Sequence, residues 1–504
     1  MTTATLSAPA TAHPKGGVAL KLVLAGAVGV FIALVLIFWV GLWGADDTTY
    51  WAGSTGWLEH VPYVGTDHGR LRHTMVIPMA IARRLFGDGM LAMTLPTLLH
   101  GIGAILVAGF WMGRVAGPVA AAGALALMVT NPQFVLVSST ADIDVLELFY
   151  VLSGFALMQA AMDRPAERVR LLLWAGLLLG LGMLTRETIV FAVVAIGLLF
   201  LAGYGMKRAY YFAIGAGFLV PFGLELIYLG VMTGNPLYRA SISVHHDSTI
   251  NRWIPQGAAV PLVHPVIDPF IMLLLNHNFA LLFWVGPPLI VWLFRRGALS
   301  LRARRLAVLL TTLGVTWILF AAETWKLLPL TPRYFLLPSI LVSILSGLAL
   351  ARLWQLGRRR LALGIGLVLV IANIGAVWLD NRNYFYGEHE LVDVTSRHQG
   401  TIHTDPQTLR RAGLLLEWKG LRGRVTAAPP EPGDLFYHNP TRAPDELRPK
   451  PGWIVVEKDG LPETIGQRLA RLLLPPGTIP PGIWEKLGRG HPDVTLYRVT
   501  EPTG

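Results

Sequence analysis

Long uncharged apolar runs alternate along this chain with short polar breaks. The first, residues 22–43, carries no ionisable side chain, and about 20 apolar residues suffice to cross the hydrocarbon of a bilayer. Further runs cover 90–113, 117–131, 143–162, 171–184, 187–203, 209–231, 270–294, 306–322, 335–350 and 361–379. The pattern predicts an α-helical polytopic membrane protein of about eleven transmembrane helices.

Three segments between or after these runs are too long to be turns. Residues 44–89 hold Asp46, Asp47, Asp67, His68, Arg70, Arg72 and His73, and their last part, Thr74–Phe86, reads as a helix lying at the membrane interface. Residues 232–269 hold His245, His246, Asp247, Arg252, Trp253, His264 and Asp268 among prolines and glycines. After Asp380 the apolar runs stop and prolines and charges rise. There Thr401–Thr404, Trp453–Glu457 and Thr495–Val499 read as short strands. Gln407–Trp418 reads as an amphipathic helix with Thr404 or Asp405 as N-cap and Pro406 in its first turn. The chain therefore divides into a tail 1–21, a membrane domain 22–379 and a small α/β domain 380–504.

Composition agrees with the pattern. The 504 residues are 53% hydrophobic and only 14% charged, where a soluble domain carries about 25% charged residues. The net charge of +11 fits loop cations better than nucleic-acid binding, because the basic residues are dispersed and no recognition motif accompanies them. Arg114, Arg164, Arg168, Arg170, Lys207, Arg208, Arg295, Arg296, Arg302, Arg304, Arg305, Arg352 and Arg358–Arg360 fall on alternate connections. With the N-terminus cytoplasmic, these connections are cytoplasmic too, and an odd number of spans exports the C-terminal domain. Lys15 and Lys21 precede the first run without a cleavage site, as in an uncleaved signal anchor. The absence of cysteine excludes disulfides and thiolate metal sites.

The chemistry-bearing residues gather beside one membrane face. Asp46 and Asp47 directly follow the first run, Asp142 and Asp144 open another, and Lys326 and Arg333 flank Pro332. Each has a plain structural reading: two aspartates stop a span, Asp142 or Asp144 caps a helix, and Lys326 and Arg333 snorkel to the interface. Glu147 and Glu225 lie inside apolar runs, where a carboxylate pairs with a neighbour or marks a site. His245-His246-Asp247 reads as a loop cluster rather than a metal site. Taken together, carboxylates and cations at one face suit a reaction in which a base deprotonates an acceptor hydroxyl while a cation stabilises a departing phosphate.

The order of these motifs resembles the GT-C membrane glycosyltransferases, specifically the protein O-mannosyltransferases and lipid A aminoarabinose transferases. Asp46-Asp47-Thr48-Thr49-Tyr50 stands where that family has an acidic pair and an aromatic, commonly Asp-Glu-x-x-Tyr. Arg70-Leu71-Arg72-His73 with Pro78, and Leu85-Phe86-Gly87, follow in the family's order, although His73-Thr74-Met75 replaces its His-Pro-Pro. Asp142-Ile143-Asp144, Leu184-Thr185-Arg186-Glu187 and Pro332-Arg333-Tyr334 match later motifs, so the resemblance runs over residues 20–350. It implies a GT-C fold in a bacterial inner membrane, a polyprenyl-phosphate sugar donor, a glycan, lipid or protein acceptor on the outer face, inversion at the sugar carbon, and no metal or cofactor. Asp46 matches the catalytic carboxylate. Asp47, with Asp142 or Asp144, then positions acceptor or sugar, and Arg333 with Lys326 holds the lipid phosphate. Arg70 and Arg72 are further candidates for the phosphate, and Tyr50, His73 and Tyr334 belong to the same substrate-binding motifs.

Two other functions are open to such a chain. A transporter or flippase for a lipid-linked or small polar solute shows paired halves and helices interrupted at mid-bilayer, and no paired halves are visible here. An anchor or assembly protein acting through its exported tail makes Asp46 dispensable.

Overall fold

The computed structural model describes residues 15–243, 267–296, 298–324, 331–380, 385–443, 448–459, 465–475, 477–480 and 493–501. Among these, eight helices are long and apolar enough to cross a membrane, or nine if one bent pair counts as a single span. They include α1 (Lys15–Ile37), α4 (Met90–Ala116), α7 (Ile143–Asp163), α8 (Arg168–Thr185), α10 (Arg208–Thr233), α13 (Leu301–Thr324), α14 (Leu336–Gln355) and α15 (Arg359–Asp380). The expected count of about eleven is higher because three apolar runs do not form straight spans. Residues 117–138 form α5 (Pro118–Val129) and α6 (Pro132–Ser138), bent by 64° at Thr130-Asn131. Asn131 caps α6 by accepting from the Phe134 N–H at 3.1 Å, and Pro132 fits the first helical position. The run 187–203 yields only the short apolar segment Glu187–Leu201, whose regular part is α9 (Val190–Leu201). The run 270–294 splits into α11 (Asp268–Leu275) and α12 (Leu282–Arg296), because the Asn276 side chain captures the Asn278 N–H at 2.9 Å and Ala280 adopts φ +47°.

Small residues let the spans approach closely. A Cβ on Gly176 of α8 would fall 2.0 Å from the Ile214 carbonyl oxygen of α10, and one on Gly347 of α14 would fall 2.2 Å from the Ala124 nitrogen of α5. Lipid offers no hydrophobic drive for helix pairing, so this backbone proximity is what makes such contacts favourable.

Between α1 and α4 the chain forms two further helices, α2 (Asp46–Glu59) and α3 (His73–Phe86). The second fulfils the expectation of a helix over 74–86. Its Arg83 is buried: the guanidinium lies 3.8 Å from the Trp51 ring, pairs with Asp88 at 2.8 Å and donates to Ser54 Oγ at 2.8 Å. That side chain bolts α3 to α2.

Among the described residues, the C-terminal α/β region contains α16 (Tyr386–Arg397), α17 (Pro406–Trp418), α18 (Ile465–Leu473) and five strands. These are β1 (Ile402–Thr404), β2 (Val425–Thr426), β3 (Leu435–His438), β4 (Ile454–Asp459) and β5 (Val494–Arg498), in the order β2-β1-β3-β5-β4. β1 runs parallel to β2 and β3, and β5 lies antiparallel to β3 and β4. Of the two N-caps that the sequence allows, Thr404 and Asp405, it is Asp405 that caps α17, through the Thr408 N–H at 2.8 Å. The apolar core of this region is continuous with that of α2 and α3: Leu391, Leu415 and Phe385 share one buried cluster with Tyr50, Trp51 and Met75.

Candidate active site

The loop between α1 and α2 is folded around one carboxylate. Asp47 Oδ2 accepts from the backbone N–H groups of Trp43 at 2.5 Å and Gly44 at 3.2 Å. Its Oδ1 accepts from Ala45 at 2.6 Å and Thr48 at 3.0 Å. Further back, Ser139 at the end of α6 accepts from Val40 through its hydroxyl and from Gly41 through its carbonyl, each at 3.1 Å. Asp47 is thus enclosed by its own loop. Burial raises its carboxyl, and the four backbone donors oppose that rise.

Asp46, one residue earlier, points the other way, and its Oδ2 lies 3.1 Å from Arg333 Nη1. Burial alone pushes the Asp46 carboxyl up, but Arg333 and Arg72 outweigh it and hold the carboxyl below the usual range. The pair opens on a cavity of about 420 Å³, also lined by Trp43, Asp47, Tyr50, Gln133, Asp142, Asn278 and Thr331. Asp142 caps α7 by accepting from the Asp144 N–H at 2.7 Å. Burial lifts its carboxyl to about 6 against the pull of Arg333 and Arg186. Of the three carboxylates that line this cavity, Asp46 and Asp142 are therefore displaced in opposite directions, with the Arg333 guanidinium acting on both.

Several polar groups in this cavity are unmet. Asn278 is buried and its Oδ1 has no hydrogen-bond partner, and the same holds for Thr331 Oγ1 and Arg333 Nε. An unpaired buried polar atom costs roughly 1–3 kcal/mol, so these groups suit a polar ligand.

Of the residues singled out in sequence, the structure brings Asp46, Asp47, Tyr50, Asp142 and Arg333 to this cavity. Tyr50 is buried, and burial with the neighbouring Asp46 pushes its phenol up. Asp144, the other aspartate of its motif, instead pairs with Arg186, whose guanidinium lies 4.7 Å from the Tyr334 ring. Tyr334 receives the Trp317 indole N–H on its backbone carbonyl at 3.1 Å. Arg70 is held in its own loop by Asp67 at 2.8 Å. Lys326 and the His245-His246-Asp247 cluster lie outside the described residues.

Arg72 and His73 belong to a second buried charge network. Arg72 donates to the Thr185 carbonyl at 2.5 Å, contacts His68 and lies 3.6 Å from Glu187. Arg239 bridges Glu187 at 2.9 Å and Glu225 at 3.1 Å. His73 stands 3.8 Å from Glu225 among the Trp57 and Tyr228 rings, and burial lowers it to about 4, so it is neutral near pH 7. Glu187 and Arg239 were absent from the sequence-derived candidates. The available signal was Glu225: a carboxylate inside an apolar run needs a cation, and Arg239 is the next one along the chain. Among the described residues, no group of three or more His, Asp or Glu side chains is arranged to hold a metal ion.

The helical bundle, the helical segment between its first two long spans and the C-terminal α/β region together form an ArnT-like fold. Residues 74–228 match the family model for dolichyl-phosphate-mannose-protein mannosyltransferases. ArnT from Cupriavidus metallidurans bound to undecaprenyl phosphate superposes with a TM-score of 0.53 at 14% identity, covering 97% of this chain and 100% of that one. Its apo form gives 0.52 at 15% identity, with 95% and 99% covered. The Archaeoglobus fulgidus oligosaccharyltransferase, in complex with Zn and sulfate, gives 0.51 at 16% identity. There 80% of this chain is covered, but the chain spans only 62% of the archaeal protein. Among curated proteins none matches. At these identities the structural likeness is one of fold, and the fold is the one that the motif order implies.

Proposed function

We propose that this protein is a polytopic membrane glycosyltransferase that moves a sugar from a polyprenyl-phosphate donor to a glycan, lipid or protein acceptor. The observation that carries this reading is the Asp46–Arg333 pair at 3.1 Å on the wall of a cavity that also holds Asp142. The mannosyltransferase family match over 74–228 and the undecaprenyl phosphate held by the Cupriavidus protein support the donor class.

In the reaction, the acceptor hydroxyl oxygen attacks the anomeric carbon as the bond from that carbon to the phosphate oxygen breaks. The acceptor proton passes to Asp46, and the bond's electron pair leaves with the polyprenyl phosphate. A single displacement inverts the sugar carbon. Arg333 binds the leaving phosphate more strongly as its charge grows, which lowers the barrier. Its guanidinium can offer two parallel N–H donors to phosphate oxygens, and its Nε is unpaired before substrate arrives. With Arg333 supplying the positive charge, the step is written without a metal ion or cofactor. A cytoplasmic N-terminus and an α/β region outside a bacterial inner membrane belong to this reading, which the cation distribution along the sequence supports.

The test is transfer from a radiolabelled polyprenyl-phosphate sugar by membranes carrying wild type, Asp46→Asn or Arg333→Ala. Loss of transfer in both variants at normal expression supports the assignment. Undiminished transfer in Asp46→Asn removes Asp46 as the base and leaves Asp142 to fill that role. A wild type that transfers from no donor, while its vesicles move a lipid-linked sugar across the bilayer, replaces the reading with a transporter.

A further inference from the structure

The C-terminal α/β region touches the back of the loop that presents Asp46. Arg411, on α17, donates from Nη1 to the Trp43 carbonyl at 3.3 Å. The next atom in that peptide unit is the Gly44 nitrogen, whose hydrogen goes to Asp47 Oδ2. One peptide plane is therefore held between a guanidinium on its carbonyl side and a carboxylate on its amide side. Each hydrogen bond polarises the peptide and strengthens the other.

The fit around this peptide is close. Gly44 has φ +60°, and a Cβ there would lie 2.8 Å from Phe385 Cζ and 3.0 Å from the Arg411 carbonyl oxygen. Glycine alone meets both demands, the left-handed backbone and the missing side chain. Further along, Trp51 of α2 meets Trp418 at the end of α17 edge-to-face, with ring centroids 4.9 Å apart. The α17 helix thus grips the Asp46 segment at both ends, by a hydrogen bond at 43–44 and by aromatic contact at 51.

We propose that Arg411 is a positioning residue for the transfer reaction: through the Trp43–Gly44 peptide it fixes the loop around Asp47 and thereby aims Asp46 into the cavity. The C-terminal α/β region is then part of the catalytic apparatus rather than a separate binding module. The activity arm of this inference rests on the transferase reading above, and the structural arm does not. Displacing a reacting group by about 1 Å can cost a hundredfold in rate.

The test compares Arg411→Ala, Arg411→Lys and Arg410→Ala in the full-length protein in membranes or detergent. The last is a control at an exposed neighbouring position. Two readouts are taken: kcat and donor KM for sugar transfer, and hydrogen exchange at the amides of 43–48. Arg411→Ala is expected to exchange these amides at least tenfold faster and to lose tenfold to a hundredfold in kcat at unchanged donor KM. Arg411→Lys is expected to recover part of both, and Arg410→Ala to alter neither. Unchanged exchange in Arg411→Ala overturns the clamp whatever the activity. Faster exchange with unchanged kcat overturns the positioning role. If wild type transfers no sugar, the transferase reading fails, and with it the positioning role, while exchange alone still decides the clamp.

Discussion

Asp46 and Arg333 meet at 3.1 Å although 287 positions separate them in the chain. Each anchors a different end of the fold: Asp46 begins the helix after the first span, and Arg333 sits in the short 3₁₀ turn that opens α14. Their pairing leaves the half-exposed cation already oriented before a phosphate arrives, which is the form of preorganisation that lowers a barrier without costing reorganisation during the reaction.

Arg333→Lys follows from this geometry. Lysine keeps the charge but replaces a planar fork with a point donor. Retained Asp46 contact with lost bidentate binding predicts a donor KM at least tenfold higher and a lower kcat, as one or two charge-assisted hydrogen bonds weaken. Steady-state kinetics over a range of donor concentrations check it, and wild-type values in the lysine variant remove the fork from the mechanism.

Asp142 predicts a pH effect of definite sign. Its carboxyl is raised from 3.8 to about 6 chiefly by burial. A group with a raised folded pKa binds more protons folded than unfolded between those values, so its stability contribution is present below about pH 4 and lost as pH rises through about 6. Asn can make the same cap to the Asp144 N–H without the buried charge. Asp142→Asn is therefore expected to melt higher than wild type at pH 7.5, with the difference vanishing below pH 4. A melting series in detergent across that range measures it. If Asp142 must be ionised for transfer, the acid limb of the rate profile near pH 6 disappears in the same variant, along with most activity.

The residues that meet here were legible in sequence to different degrees, for physical reasons. Asp46 and Asp47 stood out because carboxylates at the end of an uncharged run are costly a few ångströms deeper. Pro406 after Asp405 fixed the start of α17, because capping is local in sequence. What sequence does not carry is the direction of a side chain. Asp46 and Asp47 look interchangeable as neighbours, yet only Asp46 meets Arg333, while both oxygens of Asp47 are taken by its own backbone. Asp142 and Asp144 divide in the same way, one lining the cavity and the other on Arg186. The Arg411 contact depends on how the α/β region docks, which no local pattern encodes. The apolar runs overstated the number of spans where Asn131 and Asn276 redirected backbone donors to side chains.

Asp47→Glu separates this protein from the motif it resembles, in which glutamate is common at that position. The four backbone donors surround a carboxylate on a one-methylene arm at 2.5 to 3.2 Å. A second methylene moves the oxygens by more than an ångström, so the longer residue cannot satisfy all four while the loop keeps its path. Transfer is expected to fall by about a hundredfold, and Asp47→Asn to fall as well because its amide nitrogen accepts nothing. Expression and melting in parallel distinguish loop misplacement from unfolding. Full activity in Asp47→Glu would show that the loop yields and that Asp46 is aimed by other contacts.

Arg239 offers a test of how the buried network is held. It lies between Glu187 and Glu225, is itself buried, and ties the segment after α10 to the turn before α9. Removing the cation leaves the buried Glu225 carboxylate without its partner, whereas Glu187 keeps Arg72 at 3.6 Å, and breaking such a buried pair costs about 3–5 kcal/mol. Arg239→Met is therefore expected to melt far below wild type. Glu225 is the more deeply buried of the two partners, so the double variant Arg239→Met with Glu225→Gln should recover a large share of the loss. That recovery identifies the unpaired charge, rather than the missing guanidinium volume, as the cause. Equal melting of the single and double variants would assign the effect to packing. Donor KM follows the same order if Arg72, which shares Glu187 with Arg239, depends on this network for the position from which its charge lowers the Asp46 carboxyl.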